Sequence, residues 1–263
     1  MAANRQKRNV KLIFPSTITT FSMVLGLFAI LWAADNRIVQ ACYLLMIAII
    51  MDGLDGKVAR MTNTASEFGI QYDSLSDLVA FGVAPSVIFT RYFLYKQADQ
   101  VYYLLPIMFL ICGAIRLARF NVTASIYGKT HFTGLPIPAA AFMVAIWPPF
   151  LVWAARSTLV KGMGLTEVLA KENVFEFCVG LVIALSWSMI STIKFDTPTG
   201  FWLRKFRYKP LNYAVILAFF TLIFIHFTVF FLAISAYYLL MMYGRVVFDK
   251  IRRTEDLPRL AEG

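Results

Sequence analysis

Asp52-Gly53-Leu54-Asp55-Gly56-Lys57-Val58-Ala59-Arg60, then eight residues, then Gly69-Ile70-Gln71-Tyr72-Asp73-Ser74-Leu75-Ser76-Asp77: this stretch places four aspartates at the border of apolar segments. On translocon scales one aspartate at the centre of a membrane helix costs about 2.5 to 3.5 kcal/mol, so four impose roughly 10 kcal/mol unless cations compensate them. Asp52 and Asp55 are three apart, Asp73 and Asp77 four apart, so on helices each pair projects from one face. Two helices then offer four carboxylates to one another. Two divalent cations, Mg²⁺ or Mn²⁺, would balance that charge, and an all-oxygen ligand set favours these hard ions over zinc. A metal pair about 3.5 to 4 Å apart grips a phosphoryl group through its attacking and leaving oxygens, which points to phosphoryl chemistry.

The residues between the aspartates suit that chemistry. Gly56 and Gly69 remove side chains where helices and a phosphate must approach, and Ala59 keeps the next turn small. Arg60 offers a planar fork to a diphosphate, and Ser66, in the polar connector 62–67, offers a further donor. Two blander readings compete: ordinary loop aspartates with Arg60 in a surface ion pair, or an ion pathway in a transporter. The second accounts for buried acids but not for Gly56, Ala59 and Arg60 at these offsets.

Around this stretch the chain is that of a polytopic, all-α membrane protein. Its 263 residues are 59% hydrophobic and 15% charged, mean hydropathy is +0.67, and the apolar runs are long. Expected spans are 12–34, 38–57, 69–92, 101–120, 135–155, 174–194, 211–226 and 228–245. As one helix, the uncharged run 211–244 would measure about 50 Å, beyond a hydrocarbon core of about 30 Å, so a break near His226 is expected. With eight spans, 19 of the 25 Lys and Arg fall on the side of the N-terminus and 6 on the other; with seven the split is 14 to 11. Positive charge collects in cytoplasmic loops, so about eight helices with both termini cytoplasmic are expected. That topology places the aspartates, the 116–138 region and the 194–210 loop on one side. The chain divides into a basic juxtamembrane segment (1–11), a transmembrane domain (12–248) and a polar cytoplasmic tail (249–263), of which 252–263 is expected to be loose.

The first span is longer than a signal-peptide core and lacks a small-residue cleavage site, so it is read as retained. Cys42, Cys112 and Cys178 stand in apolar runs without His or Cys at ligand spacing and are read as core residues, not disulfide or zinc partners. The net charge of +10 comes from residues that bracket apolar spans, so anionic membrane lipids, not nucleic acid, are the expected partner. The basic run Arg204-Lys205-Phe206-Arg207-Tyr208-Lys209 is read as a topology anchor or a holder of anionic lipid.

A second polar region lies near the fourth span. Arg116 and Arg119, with Asn121 beyond, either form a pocket for a carboxylate or phosphate or snorkel to head groups. His131 is read as a loop residue. Phe132-Thr133-Gly134-Leu135-Pro136-Ile137-Pro138 breaks the backbone before the fifth span, either as a re-entrant wall or as a simple helix start.

The 26-residue stretch resembles in full the signature of the CDP-alcohol phosphotransferase family, D-x-x-D-G-x-x-A-R, eight residues, G-x-x-x-D-x-x-x-D. The resemblance implies that family's six-helix core, here with a C-terminal helical hairpin added, in a homodimer. It implies two metals on Asp52, Asp55, Asp73 and Asp77, with Asp77 also taking the proton from the acceptor hydroxyl. Gly56, Arg60 and Ser66, with Ala59 and Gly69 beside them, would hold the CDP portion of the donor. The family's Pro-Asn-x-x-Thr entry to the first span reads Pro15-Ser16-Thr17-Ile18-Thr19 here, so main-chain contacts of Pro15, Ser16, Thr17 and Ile18 to the nucleotide are expected, while Ser16 stands in place of the Asn. Ala114 to Asn121, Phe132 to Pro138 and Ser191-Thr192-Ile193-Lys194-Phe195 are similar to the phosphatidylserine synthase branch, with Lys and Phe reversed in the last.

That second resemblance implies transfer of a phosphatidyl group from CDP-diacylglycerol to L-serine at the inner membrane, at a site facing the cytoplasm. Arg116, Arg119, Asn121, Phe132, Gly134 and Pro136 are its candidate acceptor residues. Glycerol 3-phosphate and inositol are the other acceptors considered, and a lipid or ion carrier the alternative of a different class.

Overall fold

The computed structural model describes residues 2–61, 67–95, 99–127, 134–193 and 226–260, with the backbone alone at 2–16, 55–61, 123–127, 171, 242 and 245–260. Ser66, His131, Phe132, the 194–210 loop and the expected span 211–226 lie outside the described residues. Among those described, every regular element is helical: α1 (Ala2–Ala34), α2 (Ile38–Met61), α3 (Glu67–Asp77), α4 (Ala84–Phe89), α5 (Leu104–Tyr127), α6 (Ile137–Ala145), α7 (Trp147–Arg156), α8 (Thr158–Gly162), α9 (Lys171–Ile190) and α10 (Phe227–Leu260). Five stretches are long and apolar enough to cross a membrane, namely Thr17–Ala34, Glu67–Leu94, Gln100–Val122, Ile137–Arg156 and Glu172–Ile190. Ile38–Leu54 and Phe227–Met241 are shorter apolar helices. The chain is therefore a polytopic helical membrane protein.

Residues 1–192 form one compact unit and 193–263 another. In the second, α10 begins one residue after His226, where the long apolar run is expected to break, and the Thr228 amide donates to His226 Nδ1 at 3.2 Å. The tail expected to be loose is instead helical to Leu260. Arg252, Glu255 and Asp256 bring opposite charges to three- and four-residue spacing, which favours helix over coil.

In the first unit the third span is not one uniform α-helix. A π-helical turn, Leu78–Val83, follows Asp77 directly, and another, Thr90–Leu94, follows α4. Pro85 has no N–H to donate, which breaks the i→i+4 ladder here. The Ser86 hydroxyl donates toward the carbonyl oxygens of Gly82 (2.8 Å) and, on α5, Pro106 (3.0 Å), a polar tie between the irregular span and α5 inside the bundle. The expected fifth span is likewise two helices meeting at Ile146, just before Pro148 and Pro149.

Apolar side chains stand on both the buried and the exposed faces of the helices, and the interior mixes large ones such as Phe81, Phe93 and Leu45 with many small ones. The small ones include Ala29, Ala33, Ala41, Ala48, Ala80, Ala84, Ala140 and Ala145, while Phe21, Phe28, Ile50, Phe177 and Trp187 stand exposed. This is the pattern of helices that pack by close approach and leave bulky apolar side chains to lipid. On α5 the exposed stripe runs Leu104, Ile107, Ile111, Ile115 and Val122, at spacings close to one or two helical turns, and the opposite face buries Phe109, Cys112, Arg116 and Leu117. That rotation turns Arg116 inward. Cys42, Cys112 and Cys178 are all buried.

Polar ties hold α1 to both acid-bearing helices. Ser22 donates to the Ala48 carbonyl at 3.0 Å, Ser76 donates to the Thr19 carbonyl at 3.1 Å, and the Thr20 and Tyr72 hydroxyls meet at 2.8 Å. At the far end Arg91 donates to the Ala33 and Ala34 carbonyls, closing the terminus of α1. Gly26 lets α1 approach the backbone of the third span closely: a Cβ there would lie 2.6 Å from Ala80 Cα and 2.7 Å from Ala80 Cβ, in the π-helical turn after Asp77. Gly26→Val is expected to lower stability by about 1–3 kcal/mol through overpacking. Gly180→Ala, where a Cβ meets nothing within 4 Å, is the neutral control. Thermal unfolding of both variants in detergent checks the pair.

Candidate active site between α2, α3 and α5

The end of α2 and the length of α3 bring Asp52, Asp73 and Asp77 together, with one carboxylate oxygen of each within 4.8 Å of the others. All three are partly buried. Asp73 and Asp77 share a face of α3 through their four-residue spacing, and Asp52 meets them because α1 is bonded to both α2 and α3. Asp55, Gly56, Ala59 and Arg60 continue α2 on its next turns; their side chains lie outside the described residues. Gly69 is partly buried on the first turns of α3. Pro15 and Ser16 fall within α1, where only their backbone is described; Thr17 is exposed and Ile18 partly so.

A cation faces the carboxylates from α5. Arg116 is 7% exposed, and its guanidinium interacts electrostatically with Asp77 and Asp52. Its Nε is buried and donates to no acceptor among the described residues. A buried N–H without an acceptor costs about 1–3 kcal/mol, so this group is set to receive one. Arg116 does not snorkel, because the lipid-facing stripe of α5 lies on the opposite side of the helix.

Arg119 and Asn121 are engaged elsewhere. Arg119 Nη1 donates to the Ile190 carbonyl at 2.6 Å, and Nη2 donates to the carbonyls of Met189 (3.2 Å) and Ser191 (3.1 Å), at the end of α9. Asn121 accepts from the Ser74 hydroxyl at 3.0 Å and donates to Gln71 Oε1 at 3.0 Å, so it pins α5 to α3 on both sides of Asp73 in sequence. Gly134 is buried with φ of +82°, and the Leu135 amide donates to the Ser188 carbonyl at 3.0 Å. Pro136 follows as the residue capping the start of α6.

The residues that sequence reasoning passes over are Thr20, Tyr72, Gln71, Ser74 and Ser76, which bind the acid-bearing helix to its neighbours. Their signal is present as hydroxyls and an amide clustered within an apolar chain, but the partners become visible only in three dimensions. The donor set of the cluster is all oxygen and anionic. It therefore fits hard divalent cations and offers nothing soft enough to select zinc.

Known proteins resemble this chain over much of its length. The chain is 35% identical to the CDP-diacylglycerol--serine O-phosphatidyltransferase of Helicobacter pylori strain J99 over 81% of its own length and 82% of that protein. It is 36% identical to the archaetidylserine synthase of Methanothermobacter thermautotrophicus over 54% of this chain and 60% of that one. It is also 38% identical to the CDP-diacylglycerol--serine O-phosphatidyltransferase of Mycobacterium leprae over 53% of this chain and 48% of that protein. Residues 12–170, which run from within α1 past the end of α8 and include all three clustered aspartates, match the sequence model of one family, and this chain belongs to it: the CDP-alcohol phosphatidyltransferases.

Proposed function

We propose that this protein transfers a phosphatidyl group from CDP-diacylglycerol to L-serine, giving phosphatidylserine and CMP. The observation that carries the chemistry is the meeting of Asp52, Asp73 and Asp77 within 4.8 Å beside the buried guanidinium of Arg116. Serine as acceptor is supported by what the similar proteins of Helicobacter pylori are named for.

In this reading Asp52, Asp55, Asp73 and Asp77 hold two divalent cations, Mg²⁺ or Mn²⁺. When bound, these ions would neutralise charge on the diphosphate and stabilise CMP as it leaves. Pro15, Ser16, Thr17 and Ile18 at the start of the first span, with Gly56, Ala59, Arg60, Ser66 and Gly69, hold the CDP moiety. Arg116 takes the serine carboxylate, a monoanion matched to one planar fork. Asp77 accepts the proton from the serine hydroxyl, whose oxygen bonds to the phosphorus carrying diacylglycerol; the bond from that phosphorus to the CMP oxygen breaks. The distribution of Lys and Arg supports a six-helix core with a C-terminal hairpin, both termini and the site facing the cytoplasm, in the inner membrane.

Purified protein given CDP-diacylglycerol and Mg²⁺ or Mn²⁺ is expected to release CMP with L-serine and not with glycerol 3-phosphate or inositol. Turnover with glycerol 3-phosphate alone would overturn the acceptor. Asp73→Asn is expected to abolish turnover and to weaken Mn²⁺ binding followed by electron paramagnetic resonance, while unfolding in detergent as the parent does. An active Asp73→Asn protein would remove the metal reading. Arg116→Lys should raise the half-saturating serine concentration by about tenfold, because a point charge replaces a bidentate fork. An unchanged value would move carboxylate recognition away from α5.

A further inference from the structure

Arg116 and Arg119 lie one helical turn apart on α5, yet the structure gives them different partners. Helix ends leave their last carbonyls without intrahelical donors, and inside an apolar bundle those groups need a donor from elsewhere. At the end of α9 the donor is Arg119, whose two terminal nitrogens reach three successive carbonyls, Met189, Ile190 and Ser191. A guanidinium there also opposes the negative end of the helix dipole.

The 134–136 segment completes the same junction. The Leu135 amide donates to Ser188, one residue before the carbonyls that Arg119 holds. Gly134 adopts φ of +82°, a conformation open to glycine and strained for other residues. A Cβ there would collide with the Met189 carbonyl oxygen and would lie 2.7 Å from Arg119 Nη2. Arg119, the end of α9 and the turn at Gly134 thus form one clasp, in which the fork of Arg119 is occupied by backbone. Arg116 differs in each respect: it is buried, it faces Asp77 and Asp52, and its Nε meets no acceptor among the described residues.

We infer that Arg119 is a positioning residue that fastens the 134–136 segment and the end of α9 to α5, and that Arg116 alone of the pair meets the acceptor's carboxylate. For its enzymatic arm this division of roles rests on serine being the acceptor; its structural arm stands on the hydrogen bonds alone.

The test compares Arg119→Gln, Arg119→Lys, Gly134→Ala and Arg116→Gln in the full-length protein. Rates of CMP release are measured with L-serine and with L-serine methyl ester, whose carboxylate is masked. Exchange of the Leu135 amide is followed in detergent by hydrogen–deuterium mass spectrometry. Arg119→Gln is expected to slow both acceptors by a common factor, keeping the preference for serine over the ester within about twofold of the parent, as for a group that does not touch the carboxylate. Arg116→Gln is expected to erase that preference. The Leu135 amide should exchange at least about tenfold faster in Arg119→Gln and Gly134→Ala, because the clasp that protects it is opened. It should stay near the parent rate in Arg116→Gln and in Arg119→Lys, whose ammonium still donates to carbonyls. Loss of the serine preference in Arg119→Gln, or parental exchange at Leu135 in that variant, would overturn the inference. A parent protein that releases CMP with neither acceptor would instead sink the serine reading, and the exchange rates would still decide the clasp.

Discussion

Mutual repulsion among Asp52, Asp73 and Asp77 is the constraint on which the rest of this structure depends. If all three were ionised with nothing to balance them, carboxylate oxygens at about 4.8 Å would repel with about 3.5 kcal/mol per pair at an effective dielectric of about 20, so three pairs would oppose the fold by roughly 10 kcal/mol. The ties from α1 to α2 and α3, through Ser22, Ser76 and the Thr20–Tyr72 pair, are hydrogen bonds of a kind that contributes about 0.6 to 2 kcal/mol each inside membrane bundles. Their sum falls short of the repulsion. Hydrogen bonds therefore set where the acids sit, while countercharge makes that placement tolerable. Arg116 supplies one positive charge from α5, and the proposed divalent cations supply the remainder.

Helix α5 meets three different demands because its faces are chemically distinct. One stripe, from Leu104 to Val122, is bulky and exposed to lipid; the opposite side buries Arg116 against the acids. Its last turns carry Arg119 to the end of α9 and Asn121 to Gln71 and Ser74 of α3. The bonds of Asn121 matter for the acids because Gln71 and Ser74 flank Asp73. A rotation of α5 would move Arg116 and loosen α3 together, so the cation and the anions it faces are held in register by the same helix.

Much of this was legible in the sequence because it depends on local spacing. The long apolar runs mark the membrane helices, and the four-residue spacing places Asp73 and Asp77 on one face of α3, where Asp52 of α2 meets them. What the sequence leaves open depends on partners distant in the chain. Arg116 and Arg119 have the same chemistry and sit one turn apart, but their fates are set by α3 and by α9, the latter some seventy residues away. The π-helical turn after Asp77 is similar: Pro85 signals an interruption, whereas the register that results depends on how Gly26 of α1 meets Ala80. The helical tail is hard to read from sequence for another reason, since its polarity says nothing against a helix when opposite charges recur at three and four residues.

The division between the two arginines also bears on why an amino acid suits this site better than a phosphate ester. With the fork of Arg119 closed on the α9 carbonyls, the acid cluster faces a single described guanidinium from α5. A phosphomonoester brings close to two negative charges at neutral pH, of which one guanidinium balances one. In the proposed reading serine brings one carboxylate, which a single guanidinium balances in full. On that reading one buried arginine therefore matches the acceptor's single carboxylate, whatever charge the divalent cations leave on the aspartates.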